Sequence, residues 1–169
     1  MPDGKRILVV MGVSGTGKST IGTLLAEKLD YPFFDGDDYH PEENIKKMNS
    51  GIPLTDDDRK GWLLKLNQIA LENRHTGGVI ACSALKNTYR GILKAGVGSC
   101  MEFVYLEGSF DEVKSRLESR EGHFMPIELL QSQFDTLEPP SNATTVSIML
   151  SPEEIVKKIV KQVHLPKSH

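Results

Sequence analysis

Cysteine is scarce in this 169-residue chain, with only Cys82 and Cys100. Two thiols, one of them inside an apolar run, do not make a disulfide framework, so the fold must rest on its core and the natural compartment is a reducing cytoplasm. Long apolar runs are also missing. The stretch after the N-terminal Met1-Pro-Asp-Gly-Lys-Arg is only five apolar residues before a glycine, far short of the roughly 20 a membrane helix needs, so neither a signal peptide nor a membrane span is expected. An excess of positive charge is absent too. Twenty Lys and Arg against 23 Asp and Glu leave a net charge of −3, and with a pI near 6.0 there is no basic footprint for nucleic acid or an anionic membrane. No repeat, low-complexity segment or linker divides the chain, and residues 1–169 are expected to form one domain. An apolar content of 38% and a charged content of 25% fit a soluble globular protein with a core of ordinary size.

Against this plain background one stretch stands out. Arg6-Ile-Leu-Val-Val-Met leads into Gly12-Val13-Ser14-Gly15-Thr16-Gly17-Lys18-Ser19-Thr20, and Ile21, Leu24, Leu25 and Leu29 follow at helical spacing. That is strand, phosphate loop and helix, in the order the Gly-x-x-x-x-Gly-Lys-Ser pattern demands. The glycines let backbone N–H groups converge on phosphate oxygens, and the helix start adds its positive dipole end. Lys18 supplies a charge able to bridge β- and γ-phosphates, and the Ser19 hydroxyl is placed to ligate Mg²⁺. The pattern predicts binding of a nucleoside triphosphate, ATP, with Mg²⁺.

Further apolar runs occur at Tyr31 to Asp35, Gly78 to Cys82, Glu102 to Leu106 and Thr144 to Leu150, separated by segments of helical periodicity. Five strands alternating with helices predict an α/β fold with a parallel sheet covered on both faces. Helix starts are legible at Thr55-Asp-Asp-Asp58, Ser109-Phe-Asp-Glu112 and Ser151-Pro-Glu-Glu154, where a hydroxyl residue precedes an acid by three positions. Pro41 with Glu42 and Glu43 opens a short helix that Gly51 should stop.

Ligands of parallel sheets gather beyond the strands' carboxyl ends, and several of those ends carry polar clusters. The second strand ends in Asp35-Gly-Asp37-Asp-Tyr-His40. On an extended segment Asp35 and Asp37 point the same way, so one can hold the Mg²⁺ shell while the other orients an attacking hydroxyl; His40 is placed with them on the acceptor side. The third strand ends in Cys82-Ser83-Ala84-Leu-Lys86, followed by Arg90. Ser83 and Ala84 are small enough for a substrate to approach the backbone, and Lys86 and Arg90, one helical turn apart, are expected to share a face toward it. No aspartate ends this strand, so Asp35 must serve the metal or Mg²⁺ keeps more water. Arg59, amid acids, either pairs with its neighbours or receives a substrate carboxylate. After the fourth strand, Arg116 and Arg120 are spaced i and i+4 before a loop containing Gly122. They either cap a helix dipole or belong to a mobile lid over about residues 120–138 that brings a charge-neutralising arginine to the phosphates.

These strings together resemble one family. Gly12-Val-Ser-Gly-Thr-Gly-Lys-Ser-Thr20, Asp35-Gly-Asp-Asp-Tyr-His-Pro-Glu-Glu-Asn44, Met48-x-x-Gly51-Ile-Pro-Leu-x-Asp56-Asp-Asp-Arg59, Ala81-Cys-Ser-Ala-Leu-Lys86-x-x-Tyr89-Arg90, Arg120-x-Gly-His-Phe124 and Gln133-Phe-x-Thr-Leu-Glu138 are similar to those of the small phosphate-loop gluconokinases. The resemblance implies a three-layer α/β/α kinase fold like that of shikimate kinases. It also implies ATP-dependent phosphorylation of D-gluconate at its 6-hydroxyl, and a homodimer. By the same resemblance Asp35 falls where a metal-associated acid sits, Asp37 where an acid meets the substrate hydroxyl, and Arg59 where an arginine grips the substrate carboxylate. Lys18, Asp37 and Arg120 would carry catalysis, Gly12 to Thr20 with Arg116 and Arg120 the nucleotide, and Asp37, His40, Arg59, Ser83, Lys86 and Arg90 the acceptor. A kinase for another small hydroxy acid, or a nucleotide-binding regulatory module without an acceptor, remains the alternative.

Overall fold

The computed structural model describes residues 5–119 and 126–163. Five strands, β1 (Ile7–Met11), β2 (Phe33–Asp35), β3 (Gly78–Ala81), β4 (Met101–Glu107) and β5 (Ala143–Ser147), form one parallel sheet in the order β2-β3-β1-β4-β5. β1 and β3 are buried at every position, which is why they read as unbroken apolar runs rather than as alternating ones. The fifth strand stops at Ser147, three residues before the end of its apolar run.

Seven helices are seen among the described residues: α1 (Lys18–Leu29), α2 (Glu42–Asn49), α3 (Asp56–Asn73), α4 (Asn87–Lys94), α5 (Phe110–Ser119), α6 (Ile127–Thr136) and α7 (Pro152–Gln162). The strand order dictates their layers. The β1-to-β2 connection runs one way along the sheet and the next three run the other way, so right-handed crossovers put α1 on one face and α3, α4 and α5 on the opposite one. The packing agrees: α1 lies against β3 and beside α7, while α3 lies beside α4. The core fills both interfaces, with Ile21, Leu25, Ile155 and Ile159 on one side and Trp62, Leu63, Leu66 and Leu93 on the other.

The local start signals operate as expected. Thr55 and Asp58 close a reciprocal capping box on α3, as do Ser151 and Glu154 on α7, and Ser109 and Glu112 exchange the same pair of bonds at α5. Helix α6 lies within the segment expected to form the lid. Leu129 and Leu130 are buried there, and Phe134 packs edge-on against Phe110 at 5.6 Å, joining α6 to α5.

Candidate active site

The loop between β1 and α1 is shaped for an anion. Gly12, Gly15 and Gly17 have φ of 146°, 85° and 91°. Gly17 caps α1 without a side-chain bond, and a Cβ placed on it would meet nothing within 4 Å, so the helix start opens onto free space. No acid stands in the first turn of α1, which leaves its positive end for a ligand. Thr16, 1% exposed, braces the loop by donating its hydroxyl to the Val13 carbonyl at 2.8 Å. Lys18 Nζ donates to that same carbonyl at 2.9 Å. Burial pulls the Lys18 pKa below the ordinary lysine value, against the opposing pull of the Asp37, Cys82 and Asp35 charges.

Those aspartates come from the end of β2. Gly36 allows the approach: a Cβ there would lie 2.4 Å from the Ala81 carbonyl oxygen, so only glycine brings this turn against the end of β3. Asp35 Oδ1 accepts from the Asp37 N–H at 3.1 Å, and Asp35 Oδ2 accepts from the Ser19 hydroxyl at 2.7 Å. A hydroxyl and a carboxylate oxygen side by side at the mouth of the phosphate loop suit a hard cation such as Mg²⁺. Among the described residues no group of three or more His, Cys, Asp or Glu could hold a metal, so such an ion would depend on phosphate and water for its remaining ligands. Asp37 keeps an exposed edge, yet burial raises its pKa, with Asp35 and Asp38 adding to the rise and Lys18 opposing it.

The acceptor side is built from α3 and the end of β3. Arg59 NH1 donates to the Leu54 carbonyl at 2.8 Å and to the Tyr89 hydroxyl at 2.9 Å, and its other two nitrogens bond to no described residue. Tyr89 in turn donates to Asp56 Oδ1, and Lys86 reaches the same carboxylate at 3.1 Å. The Arg59 and Lys86 cations lie 5.3 and 5.6 Å from the Tyr89 ring centre, so one aromatic ring aligns both. Ser83 ties this region to the phosphate loop, its carbonyl accepting from the Gly12 N–H at 3.3 Å. His40 stacks on Trp62 beside Arg59.

Arg90 does not share a face with Lys86. Lys86 is the residue capping α4 rather than part of it, whereas Arg90 is 6% exposed and donates to the Ala84 carbonyl at 2.6 Å, the Glu138 carbonyl at 2.8 Å and the Asn87 side chain. Ala84 has φ of 46°, a left-handed conformation that costs a non-glycine residue about 1 kcal/mol. Arg90 holds that turn in place. Arg116 NH1 donates to the Thr16 carbonyl at 3.4 Å and lines a cleft with Gly17, Thr20 and Pro152 beside the phosphate loop. Arg120 and the first part of the expected lid, residues 120–125, lie outside the described residues.

The shikimate kinase family model matches residues 14–164. A probable gluconokinase of Mus musculus is 49% identical, over 92% of this chain and 96% of its own length. The chain belongs to the gluconokinase family. The thermoresistant gluconokinase of Escherichia coli K12 is 44% identical, over 91% of this chain and 89% of its own. A gluconokinase crystal structure from Sinorhizobium meliloti 1021 superposes with a TM-score of 0.85 at 42% identity, covering 94% of this chain and 91% of that one.

Four contributors to this gluconokinase-family site carry no local signal in the sequence. Gln133 on α6 accepts from the Ser14 N–H at 2.7 Å and donates to the Ser14 hydroxyl at 3.0 Å, clamping the phosphate loop from 119 residues away. Glu138 accepts from the Asn87 N–H at 2.7 Å and so supplies the acid that the first turn of α4 lacks. Asp56 and Tyr89 order the acceptor-side cations. Gln133, Glu138, Asp56 and Tyr89 all stand within the family-like strings, but nothing local in the sequence indicates their partners.

Proposed function

We propose that this chain transfers the terminal phosphoryl group of ATP to the 6-hydroxyl of D-gluconate, giving 6-phospho-D-gluconate and ADP. The observation that carries the reading is that one carboxylate, Asp35, accepts both from the Ser19 hydroxyl of the phosphate loop and from the Asp37 N–H, which sets Asp37 at the phosphate loop, while Arg59 and Lys86 flank the Tyr89 ring on the acceptor side. A small polyhydroxy acid needs an acid near its reacting alcohol and cations at its carboxylate, and these residues supply both.

Lys18 and the N–H groups at the start of α1 hold the triphosphate and compensate charge on the group being transferred. Asp37 accepts a hydrogen bond from the attacking hydroxyl, aligns it and takes its proton; its raised pKa makes it a better base than an ordinary aspartate. Ser19 and Asp35 would hold Mg²⁺, which would offset negative charge on the phosphates during transfer. Thr20, Arg116 and Pro152 line the side of the cleft where the nucleoside would lie. Arg59 grips the acceptor carboxylate through its free nitrogens, Lys86 and His40 assist, and Arg90 acts by holding the Ala84 turn. A homodimer working in the cytoplasm completes the proposal, supported by the family resemblance and by two free cysteines suited to a reducing compartment.

An ADP-release screen over gluconate, related sugar acids, shikimate and nucleoside monophosphates tests the assignment. Gluconate should support turnover far above the rest; slow hydrolysis indifferent to every acceptor would contradict it and favour a regulatory module. Arg59→Ala should raise the KM for gluconate about tenfold or more, as befits a lost charged hydrogen bond, with the KM for ATP little changed. An unaltered gluconate KM would place the carboxylate at Lys86 instead.

A further inference from the structure

One buried amide decides which ring nitrogen of His40 carries its proton. Asn44, on α2, is 2% exposed, so its amide must find partners inside the protein. Its Nδ2 lies 2.8 Å from the carbonyl oxygen of Asp58, a group that can only accept. That fixes the amide orientation, because exchanging its ends would set two oxygens face to face. The same Nδ2 lies 3.2 Å from His40 Nδ1. Nδ1 therefore accepts, and in the neutral imidazole the proton must sit on Nε2.

The carbonyl that sets this arrangement cannot drift. Asp58 is locked into the first turn of α3 by its reciprocal bonds with Thr55 at 2.9 and 3.1 Å, and its carboxylate also accepts from Lys47 at 2.7 Å. The ring is held as firmly. It stacks on Trp62 with centroids 4.0 Å apart and planes at 16°, and Trp62 is anchored by donating its indole N–H to the Gly36 carbonyl at 2.7 Å. Burial and the Arg59 charge push the His40 pKa down to about 4, so the ring is neutral at working pH. Nε2 bonds to no described residue. A fixed, uncharged N–H donor thus stands beside Arg59, three residues beyond Asp37.

We propose that Asn44 is a positioning residue that holds His40 as its Nε2–H tautomer, and that this N–H donates to a hydroxyl oxygen of the acceptor. The proposal rests on the sugar-acid reading above and adds the group that recognises the polyol rather than its carboxylate. A neutral donor suits that task. An imidazolium beside the Arg59 guanidinium would instead draw any anion, phosphate included, into the place of an alcohol.

Long-range ¹H–¹⁵N correlation spectra of the histidine rings, recorded on the free full-length protein between pH 6 and 8, test the first half. His40 should show a protonated Nε2 and a bare Nδ1 throughout. A protonated Nδ1, or a ring that titrates near the ordinary histidine value, overturns the proposal. Gluconate should shift the Nε2 resonance, and Asn44→Asp, which puts an acceptor where the donor was, should move the proton to Nδ1 and raise the gluconate KM at least about fivefold. Should that variant fail to fold, His40→Phe and His40→Gln decide. Phenylalanine keeps the stack on Trp62 and loses the donor, raising the gluconate KM roughly tenfold; glutamine offers an N–H and should recover most of that loss. Equal losses in both variants, or gluconate turnover with no Nε2 shift, overturn this proposal alone. Absence of turnover with gluconate overturns the proposed function instead, and with it the assignment of the donor to a sugar acid, while the free-protein spectra still decide the tautomer.

Discussion

Lys18→Ala is expected to lower kcat by about 10³-fold or more while leaving the fold intact. Lys18 opens α1 at the point where the positive end of the helix and the loop amides converge, and its ammonium contacts only the Val13 carbonyl. Among the described residues no carboxylate lies within ion-pair distance of it. The charge is thus held partly desolvated and unpaired, available to oxygens whose negative charge changes during transfer. Its removal also takes away the cation that opposes the rise of the Asp37 pKa, and with it the positive charge that draws a triphosphate to the loop. Since a desolvated ammonium favours activity over stability, the variant should melt at the same temperature as the parent or slightly above it. ADP release at saturating gluconate and a thermal melt check both halves. A loss of activity that tracked a lower Tm would instead mark Lys18 as structural.

Asp37→Asn is the second large effect. Asparagine keeps the shape, the backbone N–H bond to Asp35 and a capacity to orient an alcohol, but it cannot take a proton. Turnover should fall about 10²–10³-fold, within the range for a lost general base, and the KM for ATP should change little. The pH dependence carries the sign of the shift. Burial, Asp35 and Asp38 raise the Asp37 pKa, so the parent should lose activity on acidification sooner than an ordinary aspartate would, and the variant should lack that limb. The same shift means that the native state favours the protonated form more than the unfolded chain does. The charge is therefore unfavourable to folding at neutral pH, and its removal should raise the Tm. Full turnover in this variant would remove Asp37 from the chemistry.

What was legible in the sequence follows the reach of each signal. The phosphate loop, the buried strands and the capping boxes at Thr55 and Ser151 are local patterns, and each folds as its residues dictate. Arg90 shows where locality ends. Counting residues set it one turn after Lys86, but the helix begins between them, and burial against Ala84 and Glu138 makes it a brace for a left-handed turn. Helix α6 had a usable signal in Leu129, Leu130, Phe134 and Leu137, whose spacing is helical, within the stretch expected to form the lid. Gln133 carried no signal of that kind. Its partner is Ser14, at the far end of the chain, and only the sheet order that sets β1 beside β4 brings the two together.

The most direct test of the account is a crystal structure with a non-hydrolysable ATP analogue, Mg²⁺ and gluconate bound together. The account predicts the 6-hydroxyl about 3–3.5 Å from the terminal phosphorus, in line with the bridging atom, with Asp37 on the hydroxyl, Lys18 on the phosphate and Arg59 on the carboxylate. Gluconate bound away from Asp37, or with its carboxylate toward the phosphate loop, would contradict it.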